Sequence, residues 1–149
     1  MKIRDANFSD AELLFTWVND YDVRQNSFNQ NSILWENHLK WFNKKILDNN
    51  VKIFILELDS LPVGQIRYEL TEDNKWIIDY SISKNYRGRG LGKQIISMTI
   101  ALFKNGVFYG QVKSNNIASK KAFESNGFTK LNALKPNTDN IVIYEYKKN

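Results

Sequence analysis

The segment Asn85–Lys93 (NYRGRGLGK) constrains the fold of this chain more than any other stretch. It lies between a strand-like run, Trp76–Ser83, and a helix-like run, Leu91–Lys104. A glycine-rich loop between a strand and the first turn of a helix aims several backbone N–H groups at one point, and the helix dipole adds partial positive charge there. The segment therefore predicts a site for a phosphate or pyrophosphate. Three side chains add full positive charges to it: Arg87, Arg89 and Lys93.

Two common phosphate-binding motifs do not match this segment. A P-loop reads G-x-x-x-x-G-K-[ST], whereas Gly88 and Gly92 stand closer together and Gln94 follows the lysine. A dinucleotide fingerprint reads G-x-G-x-x-G and expects an acidic residue after the next strand. The spacing here is G-x-G-x-G, and the next predicted strand, Val107–Lys113, contains no acid. The pattern that remains is R-x-x-G-x-G, which begins at Arg87.

The composition limits the classes of function that the chain can perform. A length of 149 residues with 42% hydrophobic content predicts a single domain over residues 1–149 with a proper core. Because there is no cysteine, disulfides, thiolate metal sites and an acyl-cysteine intermediate are excluded, and we expect no metal. No run approaches the roughly 18 apolar residues of a membrane span, so we expect a cytoplasmic protein without a membrane partner. The net charge of +5 suits an anionic ligand, but the absence of long basic runs argues against nucleic acid.

The hydrophobic pattern predicts an α/β (α+β) fold with a mixed sheet of about seven strands. Three strand-like runs joined by short turns predict an antiparallel meander: Val51–Leu58, Val63–Leu70 and Trp76–Ser83. The strand Val107–Lys113 follows a helix and should lie parallel to the last of these. Further strands are predicted at Lys2–Ala6, Phe128–Leu131 and Ile141–Tyr146, with a loop at Lys135–Asn140. Helices are predicted after a Ser9–Glu12 capping box, from about Ser32, over Leu91–Lys104 and over Asn116–Asn126. The predicted order is β-α-α-β-β-β-α-β-α-β-β.

Two motifs and this order of elements resemble the GNAT acetyltransferases over essentially the whole chain. The first motif is Ile82-x4-Arg87-Gly88-Arg89-Gly90-Leu91-Gly92. The second begins at Asn116 and ends at Phe128, and is similar to the family's N-x-x-(A/S)-x3-(Y/F)-E-x-x-G-F. The resemblance implies a domain that binds acetyl-CoA as co-substrate in a gap where the Trp76 and Val107 strands splay apart.

The resemblance also implies which residues hold the coenzyme. Backbone groups near Ile82 and Ser83 would pair with the pantetheine arm. Asn116 and Ser119 would contact the coenzyme from the other side, although capping of their own helix is an alternative role. The pyrophosphate would be held by the amides of the loop residues, with Lys93 beside them: Arg87, Gly88, Arg89, Gly90, Leu91 and Gly92. Phe123 would also contact the coenzyme. It stands at the position where many members of the family carry a tyrosine that protonates the thiolate of the coenzyme.

The catalytic residues are less well defined by the sequence. The reaction implied is direct attack of an amine on the thioester, with a backbone N–H at Ile82 or Ser83 stabilising the oxyanion. Gln111 stands where some members carry a glutamate base, and glutamine cannot act as a base. Glu69 and Asp79 are the remaining acids of the central strands, and either is a candidate to remove the proton. Asp79 has an alternative role in an ion pair with Arg67, which depends on the strand register.

The acceptor region is predicted in the first two helices, their loop and the sheet edge. This region reads W-x-N-D-x-x-V-R-x-N-S-F-N from Trp17, followed by W-x-x-H-x-x-W-F from Trp35. The pattern resembles enzymes that N-acetylate 4-amino groups of nucleotide-linked sugars in pseudaminic and legionaminic acid biosynthesis. The candidate acceptor-binding residues are Trp17, Asn19, Arg24, Asn26, Trp35, His38 and Arg67. Core packing is the alternative for the tryptophans and for His38. Two other functions stay open: acetylation of protein N-terminal amines, and a non-catalytic acyl-CoA-binding module. A monomer and a homodimer are both compatible with the sequence.

Overall fold

A computed structural model describes residues 1–131 and 140–149 of the chain. Its helices are α1 Ala11–Val18, α2 Tyr21–Gln25, α3 Trp35–Ile46, α4 Leu91–Ile100 and α5 Ile117–Glu124. Its strands are β1 Lys2–Asp5, β2 Val51–Leu58, β3 Leu61–Leu70, β4 Lys75–Ile82, β5 Gly106–Lys113, β6 Thr129–Leu131 and β7 Ile141–Lys148.

The described residues form one mixed sheet of seven strands in the order β1-β2-β3-β4-β5-β7-β6. The β2-β3-β4 meander is antiparallel, and β4 and β5 are parallel neighbours joined through α4. The predicted fold class and the predicted parallel pair are thus confirmed. The β4–β5 pairing ends at Ile78 and Gly110, although both strands continue beyond these residues. A gap therefore opens between the second halves of β4 and β5.

The sheet carries a hydrophobic core on each face. Helices α4 and α5 cover one face, where aromatic residues such as Tyr68, Phe108 and Tyr144 are fully buried. Helices α1 and α3 cover the β2 side of the other face around Phe42 and Ile55. Because strand residues alternate between the faces, Tyr80 and Ile82 belong to the α4–α5 side, whereas Asp79 belongs to the α1–α3 side.

The structure corrects several element boundaries. The first helical segment is capped by Asn7, which forms a capping box with Asp10, so the predicted Ser9–Glu12 box is wrong. The polar segment after α1 contains the extra short helix α2, which hydrophobic periodicity does not reveal because none of its residues is buried. Helix α4 ends at Ile100, four residues before the predicted end. The predicted loop Lys135–Asn140 lies, apart from Asn140, outside the described residues.

Candidate active site

The gap between β4 and β5 exposes backbone groups of β4. The N–H of Ser83 donates to the Val63 carbonyl at 2.8 Å, which fixes the hydrogen-bonding alternation of the β3–β4 pair. The N–H groups of Ile82 and Tyr80 then point away from β3 and into the gap. Of the two predicted oxyanion donors, Ile82 therefore has the suitable orientation, while the N–H of Ser83 is already engaged.

A cleft of about 500 Å³ adjoins this gap and reaches the glycine loop. Gly88 and Gly90 have φ angles of +75° and +74°, and a Cβ at either position would meet nothing within 4 Å. Helix α4 begins immediately after Gly90, and no side chain of the described residues caps it. The loop is consequently an open cradle in front of free helix N–H groups. This geometry fits the pyrophosphate of a coenzyme.

The three cations of the loop have different roles. Arg89 lies over the Tyr86 ring, with 5.1 Å between its Cζ and the ring centroid, and Lys93 is exposed beside the cleft. Arg87 is engaged within the protein, because its Nη2 donates to Asp20 Oδ1 at 2.7 Å and its Nη1 to Asp22 Oδ2 at 3.0 Å. Of these three cations, Arg89 and Lys93 thus face solvent.

The far wall of the cleft combines helix α5 with a tyrosine from β4. Asn116 caps α5 by accepting from the Ser119 N–H at 3.2 Å, so the capping role applies, and both residues also line the cleft. The Ser119 hydroxyl is 2.9 Å from the Tyr80 hydroxyl, and burial raises the pKa of Tyr80. This hydroxyl pair keeps its protons at neutral pH and can donate one to a group in the cleft. Tyr80 was not among the predicted residues, although its alternation with Ile78 and Ile82 places it on this face.

Phe123 lies beneath the cleft and not in it. Its side chain is buried with 2% exposure and packs against Phe128 and Tyr144. The tip of the ring points at Gly110, where a Cβ would lie only 2.4 Å from Phe123 Cζ. A tyrosine oxygen attached to Cζ would collide with β5, so the family's tyrosine acid does not fit this packing.

The candidate base residues lie on the face opposite to α4. Arg67 stands directly across from Asp79 in the register, with 3.6 Å between Nη1 and Oδ2, so the predicted alternative of an ion pair applies. Asp79 nonetheless keeps 58% of its side chain exposed. Glu69 is held between Lys45 and Arg67; burial alone would raise its pKa, but these two cations outweigh burial and lower it. Gln111 is exposed on β5, past the end of its pairing with β4.

The acceptor-side pocket lies next to Asp79, between α1, α3 and the sheet. Trp17 is buried in the core and also lines this pocket. Trp41 also lines it, and the Arg67 guanidinium lies over the Trp41 ring at 4.8 Å. Trp35 is 36% exposed and packs edge-on against Phe15 outside this pocket. The pocket thus joins aromatic surface to hydrogen-bonding side chains: Gln65, Arg67, Asp79 and Ser81.

Three predicted acceptor residues lie in the segment between α1 and α3, and two of them organise it. Asn19 donates to and accepts from the backbone of Ile33, at 2.9 and 2.7 Å. Arg24 donates through Nε to the Val18 carbonyl at 2.7 Å, and its Nη atoms donate to the following loop. A phosphate on an acceptor would have to share those donors. Asn26 does not line the acceptor-side pocket. It lines the cleft of about 500 Å³ beside the glycine loop, which we call the coenzyme cleft.

His38 is a buried, neutral residue that lines the acceptor-side pocket. It is 3% exposed and its Nε2 donates to the Ala11 carbonyl at 2.9 Å. Burial lowers its pKa more than this hydrogen bond raises it.

Stability should therefore fall as the pH drops below the ordinary histidine pKa of about 6.5, because the unfolded chain gains a proton there that folded His38 resists. We expect the free energy of unfolding to decrease between pH 7.5 and 5.5, by at most about 1.4 kcal/mol per pH unit. Urea unfolding at both pH values measures this decrease. A His38→Gln variant, which keeps a donor toward Ala11, should lose it, and an equal decrease in that variant would contradict the assignment.

The described residues offer neither a metal-binding cluster nor a membrane-spanning helix. No group of three or more histidine, aspartate or glutamate side chains among them is arranged to hold a metal ion. Within the same residues, none of the helices has the length and apolarity needed to span a membrane.

The family of the chain is shown by its match to a family profile. The profile of the acetyltransferase (GNAT) domain matches residues 1–129 of the chain. The chain belongs to the GNAT acetyltransferase family. This GNAT domain is therefore an acyl-CoA-dependent N-acyltransferase with acetyl-CoA as co-substrate, as the resemblance of the two sequence motifs implied.

Relatives of this GNAT domain are distant. An uncharacterized protein of Methanocaldococcus jannaschii is 28% identical over a gapped alignment of 155 positions, which covers 96% of this chain and 30% of that protein. The chain thus spans less than a third of the length of this relative. A ribosomal L7/L12 alpha-N-protein acetyltransferase in complex with coenzyme A superposes with a TM-score of 0.81 at 18% identity, over 98% of this chain and 93% of the other.

A spermidine N-acetyltransferase from Vibrio cholerae, in complex with CoA and spermine, superposes with a TM-score of 0.82 at 15% identity, over 99% and 95% of the two chains. At these identities the two solved structures confirm the fold of the GNAT domain and do not define its acceptor.

Proposed function

We propose that this GNAT domain transfers acetyl from acetyl-CoA to the 4-amino group of a nucleotide-linked amino sugar. The observation that carries the proposal is the acceptor-side pocket, which Trp17 and Trp41 line together with Gln65, Asp79 and Ser81. Aromatic surface suits the apolar face of a sugar ring, while amide, hydroxyl and carboxylate groups suit its hydroxyls and amine. The pocket has a volume of about 40 Å³ and is lined by Asp79 and Ser81 of β4, one of the two strands beside the gap. It would therefore take the amine end of the acceptor and leave the rest of the sugar outside it.

The chain's own groups provide the functions that acyl transfer requires. The thioester of acetyl-CoA supplies the acetyl group. The Ile82 N–H points into the gap and is assigned to the carbonyl oxygen, an interaction worth about 3 kcal/mol in comparable oxyanion sites. Asp79 is assigned to remove the proton of the amine, directly or through water, because it is the more exposed of the two strand acids and Glu69 is engaged by two cations.

The Asp79→Asn variant tests this assignment. We expect kcat to fall roughly 30-fold, somewhat below the usual range for loss of a general base, because an amine can also lose its proton to water. Steady-state kinetics with saturating acetyl-CoA measures the effect. Glu69→Gln is the matched control, since it removes the other acid of the same face and should change kcat less than about 3-fold. Equal losses in the two variants would contradict the role of Asp79.

The acceptor class is tested by coenzyme A release from acetyl-CoA. The panel contains a nucleoside-diphosphate 4-amino sugar, the same compound with a 4-hydroxyl, a peptide with a free N-terminus, and spermidine. We expect turnover with the 4-amino compound and none with its 4-hydroxyl analogue. Turnover only with the peptide or with spermidine would overturn the sugar assignment and leave the transferase and its coenzyme site unaffected.

A further inference from the structure

Helix α2 lies across the open end of the gap between β4 and β5. Its first turn is tied to the segment after β4 through Arg87, which donates to Asp20 at 2.7 Å and to Asp22 at 3.0 Å. Its last residue is tied to the end of β5, where Lys113 Nζ donates to the Gln25 carbonyl at 2.9 Å. The two anchors therefore stand on opposite arms of the gap.

The Arg87 anchor is built into the protein. Besides the two carboxylates, Arg87 donates through Nε to the Ile82 carbonyl at 2.8 Å, so each of its three nitrogens has a partner. Asp20 also caps α2 by accepting from the Val23 N–H at 3.3 Å. Burial alone would raise the pKa of Asp20, but the Arg87 hydrogen bond and the Val23 N–H outweigh it and lower the pKa. A partly buried, charge-assisted contact of this kind fixes orientation better than an exposed surface pair does.

The inner side of α2 belongs to the coenzyme cleft. Asp22, Val23 and Asn26 line the cleft together with Ser81 and Ile82 of β4. The negative charge of Asp22 is offset in part by Arg87 at 3.0 Å, which also pairs with Asp20. The segment that the sequence assigned to the acceptor thus forms a wall beside the β4 backbone, where the arm of the coenzyme is expected, and stands apart from the acceptor-side pocket.

We propose that α2 is a strap over the pantetheine arm of the coenzyme, and that the Arg87–Asp20 and Lys113–Gln25 anchors hold it in place. The nucleotide end of the coenzyme is held by the glycine loop, outside the strap. Loosening the strap should therefore weaken binding of the arm and leave binding of the nucleotide end unchanged. The proposal rests on the coenzyme site alone and is independent of the acceptor.

The test compares two ligands by isothermal titration calorimetry. Coenzyme A carries the arm, whereas adenosine 3′,5′-diphosphate is anionic and lacks it. For Lys113→Met we expect the Kd of coenzyme A to rise about 10-fold and that of adenosine 3′,5′-diphosphate to change less than 2-fold. Lys130→Met, which removes the same charge from β6 at the far edge of the sheet, should change neither.

Three other outcomes of these titrations would overturn the proposal that α2 is a strap. Equal weakening of the two ligands by Lys113→Met would indicate a general loss of positive potential. A lower melting temperature with both Kd values unchanged would indicate a purely structural contact. Failure of the unmodified protein to bind coenzyme A would remove the coenzyme site itself, and is distinguishable because it needs no variant.

Discussion

A Gly90→Val variant is expected to lose about 100-fold in affinity for coenzyme A. Gly90 has a φ of +74°, which a β-branched residue adopts only with strain. Relief of the strain must rotate the backbone just before α4, and the N–H groups of Leu91 and Gly92 turn with it. Since a Cβ at this position meets nothing within 4 Å, the loss would arise from the backbone and not from a collision. Calorimetric titration with coenzyme A measures it.

Gly127→Val is the matched control for this experiment. Gly127 has a φ of +79°, and the nearest atom to its Cβ position, on Tyr146, is 3.7 Å away. The same substitution thus introduces similar backbone strain at the end of α5, outside the residues that line the cleft. Both variants should be less stable than the parent protein, and only Gly90→Val should lose affinity. Unchanged affinity in Gly90→Val, or equal losses in both, would contradict the cradle formed by this loop.

The strand, glycine loop and helix start that form the coenzyme-side cleft could be predicted because their determinants are local in sequence. The run from Trp76 to Lys104 specifies a strand, a loop with glycines at left-handed positions and the start of a helix, whatever packs around it. The antiparallel meander and the parallel β4–β5 pair followed from connection lengths, since short turns join antiparallel strands and a helix between β4 and β5 requires a parallel crossover. These features need no knowledge of distant contacts, and the structure places them as the pattern indicated.

The segment between α1 and α3, which the sequence assigned to the acceptor, depends on contacts between residues far apart in sequence. The Asp20–Arg87 pair joins positions 67 residues apart, and the contact of Lys113 with Gln25 joins positions 88 residues apart. The charged side chains of these contacts are of types that are common on protein surfaces, so no local pattern in the sequence marks them. Arg24 illustrates the same limit, because its guanidinium suits a phosphate as well as the backbone carbonyls that it contacts in the fold.

A Gly110→Ala variant is expected to lose about 3 kcal/mol of unfolding free energy, at the upper end of the usual range for overpacking. The new Cβ would lie 2.4 to 2.8 Å from three atoms at the tip of the Phe123 ring. The ring cannot retreat easily, because Phe128, Tyr144 and Tyr80 surround it with centroid distances of 5.0, 5.8 and 5.9 Å. Urea unfolding monitored by tryptophan fluorescence measures the loss.

The double variant Gly110→Ala/Phe123→Leu shows whether this contact is the cause. A leucine has no ring tip at the β5 backbone, so the alanine should cost much less in its presence, and the two substitutions should be strongly non-additive. Additive losses would indicate that Gly110 is required for another reason. The same contact bears on catalysis, because a ring that must end at Cζ to pass Gly110 excludes a tyrosine at position 123. A proton for the departing thiolate would then have to come from elsewhere in the cleft, and the Tyr80–Ser119 hydroxyl pair lies in its wall.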